Sequence, residues 1–185
     1  PNELIMINAA AGGVGLAAVQ LAKISGARVI AAVGSEEKKE LIKQFGPELV
    51  INYQEENVNE IIEGVFGKRP LDILYDQVGG DAYQQGIRLL GSEGRALIVG
   101  FASGNIPSQI LSYLLVKNIS IMGVFMISFE NNDREYLKKR MELIFDLFIN
   151  QQIEPIYKTI KFDEIINYLD LIGSRKTVGR IVALR

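Results

Sequence analysis

Six short apolar runs begin at residues 4, 28, 49, 71, 95 and 119 of this 185-residue chain, one every 21 to 24 residues. That interval is the length of one strand plus one helix, and it constrains the fold more than any other feature. The runs are Leu4–Asn8, Arg28–Val33, Leu49–Asn52, Leu71–Asp76, Arg95–Val99 and Ile119–Gly123. Most are continuously apolar (LIMI, VIAAV, ALIV) rather than alternating, as strands are when both faces of a parallel sheet are covered. Helical patterns separate them. Val14, Ala17, Ala18 and Leu21 share one helical face, Val58, Ile61, Ile62 and Val65 a second, and Tyr83, Ile87 and Leu90 a third. Ser35 is placed to N-cap a helix over 36–45, with Glu36 and Glu37 in its first turn and Gly46-Pro47 to stop it. The fifth connection reads as a glycine-containing loop and a short helix near 108–115.

Alternating strands and helices with right-handed crossovers imply an α/β, doubly wound, parallel six-stranded Rossmann sheet, whose ligands lie at the C-terminal strand ends. After Gly123 the rhythm breaks. A long amphipathic helix over 131–151, striped by Leu137, Met141, Ile144 and Phe148, is followed by an extended piece over 156–162, a helix over 163–172 and a strand over 179–184. These pieces do not continue the sheet. We expect residues 1–129 to form the Rossmann domain and 130–185 to belong to a second, incomplete domain.

Composition narrows the chemistry. The chain has 48% apolar residues, no cysteine, no histidine and a net charge of −2. A disulfide framework, a thiol nucleophile, a His-based triad and the usual structural zinc site are excluded within it. No basic patch points to nucleic acid. Leu4–Ala22 carries no charge over 19 residues, but Gly12, Gly13 and Gly15 interrupt it and Asn8 and Gln20 lie inside it, so a membrane span is not expected. A cysteine-free chain fits the cytoplasm.

The first strand runs into Ala10, Ala11, Gly12, Gly13, Val14 and Gly15. Ala10, Gly12 and Gly15 occupy the three positions of the dinucleotide fingerprint, with alanine in place of the first glycine. Such a turn brings backbone and helix N-terminus against a pyrophosphate. An NAD-preferring site carries an acid at the end of the second strand. Here Gly34 stands there, followed by Ser35 and, one turn on, Lys38. A carboxylate would repel a 2′-phosphate, whereas a small residue, a hydroxyl and an ammonium accept one, which argues for NADPH. The alternative is that Ser35 is only a cap and Lys38 only a solvated cation. Tyr53, after the third strand, is placed to stack or hydrogen-bond at the same phosphate, or to be a rim aromatic. Gln77 and Val78 end the fourth strand, and Gly100 and Phe101 the fifth, where ribose and nicotinamide would pass. Phe125, after the sixth, is placed to flank the nicotinamide or to join the core. No residue stands out as a catalytic acid or base.

Taken in order, AAAGGVG, GARVIAAVGSEEK, VINY, DILYDQVGG, GRALIVGFASG, LLVKNISIMGV and SRKTVGRIVAL resemble the zinc-independent medium-chain dehydrogenases/reductases, most of all the NADPH:quinone oxidoreductase (zeta-crystallin-like) branch. The resemblance implies hydride transfer from NADPH to a quinone or an α,β-unsaturated carbonyl compound, with no metal. It implies that the fingerprint, Ser35, Lys38 and Tyr53 hold the phosphates, that Arg175 joins them at the 2′-phosphate, and that strand 119–123 pairs with its copy in a homodimer. It further implies an N-terminal catalytic domain that residues 130–185 would complete. Without it, this chain is expected to bind NADPH weakly and turn over little or no substrate. The alternatives are a non-catalytic NADPH-binding or dimerisation module, or an enoyl-reductase unit of a larger synthase.

Overall fold

The computed structural model describes residues 1–128, 133–174 and 176–185. Six strands, β1 (Leu4–Ile7), β2 (Arg28–Val33), β3 (Leu49–Asn52), β4 (Leu71–Asp76), β5 (Leu90–Ile98) and β6 (Ser120–Gly123), form one sheet in the order β3-β2-β1-β4-β5-β6. Every pairing is parallel. Helices α1 (Gly13–Ile24), α2 (Glu36–Lys43), α3 (Val58–Phe66), α4 (Gly80–Arg88) and α5 (Leu111–Lys117) make the crossovers. The continuous apolar runs are explained by a core on each face. Leu4, Met6, Ile30 and Leu74 point to one side, with Ile62, Tyr83 and Ile87 from α3 and α4. Ile5, Ile7, Val29 and Ala31 point to the other, with Leu16, Val19 and Ile42 from α1 and α2. Each fully buried Ile or Leu contributes about 1.5–3 kcal/mol, so a run with no polar member is what this double-sided sheet selects.

Several local expectations shift. Leu90 is not on α4: it begins β5 and pairs with Leu71. It is buried either way, so its apolar character does not distinguish helix from strand. β5 therefore starts five residues earlier than Arg95 and carries an irregularity opposite Leu71–Ile73. The face of α1 that enters the core is Gly15, Leu16 and Val19, while Val14, Ala17 and Leu21 are exposed. Val65 of α3 is also exposed. α5 lies three residues further on than expected and ends on Asn118 in the left-handed region, φ 52°.

The C-terminal pieces stand apart from the main sheet. α6 (Arg134–Ile149) is N-capped by Asp133, whose carboxylate accepts the Tyr136 N–H at 2.9 Å. β7 (Tyr157–Lys161), a short 3-10 turn (Phe162–Glu164), α7 (Ile165–Gly173) and β8 (Arg180–Leu184) follow. β7 and β8 pair in parallel as a separate two-stranded sheet. The expected stripe of α6 is largely uncovered, with Met141, Ile144 and Phe148 all exposed. This segment is tied back to α1 by Gln20, whose amide donates to the Glu154 carbonyl (2.9 Å) and accepts the Glu154 N–H (2.6 Å). A second tie is the Gly179 N–H to the Ala11 carbonyl, 2.9 Å. The expected boundary near residue 129 lies outside the described residues.

Candidate cofactor site

The order β3-β2-β1-β4 makes the chain reverse between β1 and β4, so the β1–α1 turn opens into a crevice above the C-terminal strand ends. The turn is tight. Ala9 sits in the left-handed region at φ 46°, the Ala10 N–H donates to the Ala32 carbonyl (3.0 Å), and the Gly12 N–H returns to the Ala9 carbonyl (3.0 Å). The left-handed residue is thus Ala9 and not Ala10, which is fully buried; an alanine at the first fingerprint position therefore carries no backbone strain. Gly12 is the N-cap of α1. Among the described residues no side chain caps this end, and its first turn holds no acid. Free N–H groups and the positive end of the helix dipole therefore face the crevice. Gly15 serves packing: a Cβ there would lie 2.3 Å from the Ala9 carbonyl oxygen and 2.7 Å from the Ala10 Cα. Gly13 accommodates the Arg180 side chain, whose Nε would be 2.4 Å from such a Cβ. Val14 is exposed beside them.

At the end of β2, Ser35 is the cap the sequence implies, its hydroxyl accepting the Lys38 N–H at 3.3 Å. Gly34 has a reason that the sequence hides. A Cβ at this position would stand 2.6 Å from the Tyr53 hydroxyl and 3.0 Å from its Cζ. The tyrosine ring lies over the glycine, and its backbone N–H is held by the Val33 carbonyl at 3.0 Å. Burial pushes the Lys38 ammonium below its ordinary pKa, with Glu37 opposing; a partly desolvated cation is one that gains from an approaching anion. Glu36 is held by the Asn52 amide, which donates to its carboxylate at 3.1 Å.

The β4 end is built on Asp76, which is fully buried. Its carboxylate accepts the Asn8 amide (2.8 Å), the Val78 N–H (3.2 Å) and the Gly79 N–H (2.9 Å). Gly79 is required by its φ of 73° and by the Asn105 carbonyl, 2.6 Å from where a Cβ would be. The Gln77 amide nitrogen donates to the Asn8 carbonyl, 2.5 Å. Its Oε1 is buried, and no donor among the described residues reaches it. The β5 loop is bound to this turn through the Ala102 N–H to the Gln77 carbonyl (3.0 Å) and the Ser103 N–H to the Val78 carbonyl (2.9 Å).

A cavity of about 260 Å³ gathers Gly12, Gly34, Lys38, Tyr53 and Val78. A second, of about 330 Å³, shares Ala9, Tyr53 and Val78 and runs on to Asp81, Gln85 and Ser103. Ser35, Gln77, Gly100 and Phe101 adjoin without lining either, and Phe101 packs beside Gly79. Phe125 is not brought in; it is 64% exposed near the end of β6. Arg175 lies outside the described residues. Ile172, Gly173 and Thr177 line the first cavity and were missed as individual positions. No periodicity or motif marks them, because only the return of the C-terminal segment brings them there. Among the described residues no group of three or more His, Cys, Asp or Glu is placed to hold a metal ion.

A family model described as zinc-binding dehydrogenase matches residues 13–146. Quinone oxidoreductase-like protein 2 of Mus musculus is 33% identical over 184 residues, covering 98% of this chain and 53% of that protein. The 2-haloacrylate reductase of a Burkholderia species is 28% identical over 186 residues, covering 100% of this chain and 56% of that protein. Among solved structures, Escherichia coli quinone oxidoreductase complexed with NADPH superposes with a TM-score of 0.87 at 28% identity, over 97% of this chain and 56% of that one. The chain spans about half the length of the curated relatives it matches.

Proposed function

Since the chain belongs to the zinc-binding dehydrogenase family, we propose that it is the cofactor-binding portion of an NADPH-dependent oxidoreductase that reduces a quinone or an α,β-unsaturated carbonyl compound. Residues 1–129 are its Rossmann domain and 130–185 contribute to a catalytic domain completed elsewhere. One observation carries the cofactor reading: Gly34, Lys38 and Tyr53 share a single cavity with the uncapped start of α1, and no carboxylate stands at the end of β2.

The residues fit the nucleotide. The N–H groups at Gly13, Val14 and Gly15 take the pyrophosphate. Lys38, Ser35 and the Tyr53 hydroxyl take the 2′-phosphate, joined by Arg175. Gln77, Gly100 and Phe101 border the ribose and nicotinamide end. When bound, NADPH supplies the hydride; the part of this chain is to hold it, orient it and keep water from it. This chain offers no histidine or cysteine to a zinc ion; the zinc-independent reading follows from the quinone-reductase-like motifs, and no step is assigned to a metal. The substrate class follows the relatives, which are named for quinones and a haloacrylate, all electron-poor conjugated double bonds.

The chain also forms a homodimer in this reading. β6 is the sheet's edge strand, with Met122, Val124, Phe125 and Met126 exposed along and just beyond it, and an uncovered apolar edge is a template for a second strand. Titration with NADPH and with NADH, read by nicotinamide fluorescence, tests the central claim. NADPH is expected to bind at least about tenfold more tightly, as a charge-assisted phosphate contact implies; equal affinities would overturn it.

A further inference from the structure

Behind the Tyr53–Lys38 side of the cavity lies a small polar network that neither the fingerprint nor the β2 end explains. Glu56 stands four residues after Asn52, in the turn that leads from β3 to α3. Its Oε2 accepts the Asn52 N–H at 2.6 Å and the Lys39 ammonium at 2.8 Å. The Glu56 N–H returns to the Asn52 carbonyl at 2.9 Å. Asn52 itself is buried; its Oδ1 accepts the Gln54 N–H at 3.2 Å, and its amide donates to Glu36 at 3.1 Å. Tyr53 is therefore flanked on both sides by residues whose N–H groups are tied down by this cluster. Lys39, the other end of the tie, is the next residue after Lys38 on α2, and its side chain is only 18% exposed.

We propose that Glu56 is a positioning residue for nucleotide selectivity. Through Lys39 and Asn52 it holds the first turn of α2 against the β3–α3 turn, and so fixes Lys38 and Tyr53 at the separation that a 2′-phosphate requires. This rests on the cofactor reading above. The geometry distinguishes it from an ordinary surface ion pair. Arg28–Glu48 has similar distances, at 2.7 Å, but half-exposed partners at the opposite end of β2, where it orients nothing in the crevice. Glu56 instead joins backbone, helix and strand end at one carboxylate oxygen. Lys39 hydrogen-bonds it and the Asn52 N–H adds to the effect, so its carboxyl stays below the usual carboxylate range and the tie is charged at neutral pH. Networks of this kind couple energetically when one member is removed.

The test uses the chain with Glu56→Ala, with Lys39→Met, which leaves the 52–56 turn closed, and with Glu48→Ala as a comparison. In the free proteins, the Tyr53 ring resonances, assigned by difference from Tyr53→Phe, are expected to move in the first two variants and not in the third. NADPH affinity is expected to fall about fivefold or more in Glu56→Ala and Lys39→Met, while NADH affinity stays within about twofold. Circular dichroism checks that the fold is kept. Unmoved Tyr53 resonances, or a parallel fall for both nucleotides, would overturn the proposal, since a merely structural role moves both alike. If the unmodified chain prefers NADPH and both variants keep that preference, only the role of Glu56 fails. If the unmodified chain shows no preference, the 2′-phosphate reading fails and takes this selectivity role with it.

Discussion

Two glycines of one motif are predicted to fail in opposite ways. At Gly15, an alanine Cβ would be 2.3 Å from the Ala9 carbonyl oxygen and 2.7 Å from the Ala10 Cα. Both are backbone atoms of the turn that starts α1, so α1 and β1 must separate by about 0.7–1 Å, an overpacking that costs about 1–3 kcal/mol. With two backbone contacts the upper part of that range applies, and the better helix propensity of alanine returns about 1 kcal/mol. The net loss is about 2 kcal/mol, or a Tm lower by about 4–8 °C for a chain of this size. At Gly12 the same Cβ meets only the Ala9 oxygen at 3.4 Å, and φ −78°, ψ 168° suits any residue. The poorer N-cap and the less flexible unfolded chain offset one another within about 1 kcal/mol. Gly12→Ala should therefore keep its Tm within about 3 °C. It should still lose NADPH affinity by about 10- to 100-fold, the value of a charge-assisted backbone contact to phosphate that the methyl blocks. Thermal unfolding followed by circular dichroism, beside the fluorescence titration, separates the two. If Gly12→Ala melts as low as Gly15→Ala, or Gly15→Ala melts unchanged, the assignment of one glycine to binding and the other to packing is wrong.

Gly34→Ala would drive its Cβ into the Tyr53 hydroxyl; because that ring is 38% exposed it swings aside, so Tm should barely move while the preference for NADPH over NADH falls about tenfold in the same titration. Asp76→Asn replaces one of two accepting oxygens with a donor facing the Gly79 N–H; the unsatisfied group costs about 1–3 kcal/mol, seen as a lower midpoint in urea with an unchanged slope. Tyr83 is buried, beside Asp76 and Tyr113, and its pKa is pushed up to about 12. The folded state thus keeps a proton that the unfolded chain releases near pH 10. The contribution of Tyr83 is complete below pH 10 and is lost between about pH 10 and 12. Tyr83→Phe should flatten the fall of unfolding free energy across that interval, measured by denaturant titration at each pH.

Much of the architecture is legible in the sequence. A strand buried on both faces must be apolar throughout, so LIMI, VIAAV and ALIV declared themselves, and their spacing left room for only one helix between each pair. Ser35 as a cap followed from local chemistry, because its partner is three residues away. Helix faces were harder. Val14, Ala17 and Leu21 looked like the core face of α1, but one side of that helix packs on the sheet and the other faces the C-terminal segment, so both sides are apolar and periodicity does not separate them. Leu90 was misplaced for the same reason, since burial is common to the end of a helix and the start of a strand.

What the sequence determined by itself is the parallel sheet, the glycine turn at the end of β1, and the missing acid at the end of β2, because each depends on residue type at short range. What only the tertiary structure decided is why several of those residues are as they are. Gly34 is a glycine because a tyrosine 19 positions away lies over it, Gly79 because the Asn105 carbonyl lies 2.6 Å from where its Cβ would be, and the Gln77 amide nitrogen is anchored by the carbonyls of Asn8 and Ala9. Those reasons are distances between residues far apart in the chain. A linear pattern of apolar and polar residues carries the period of an element but not the approach of one element to another.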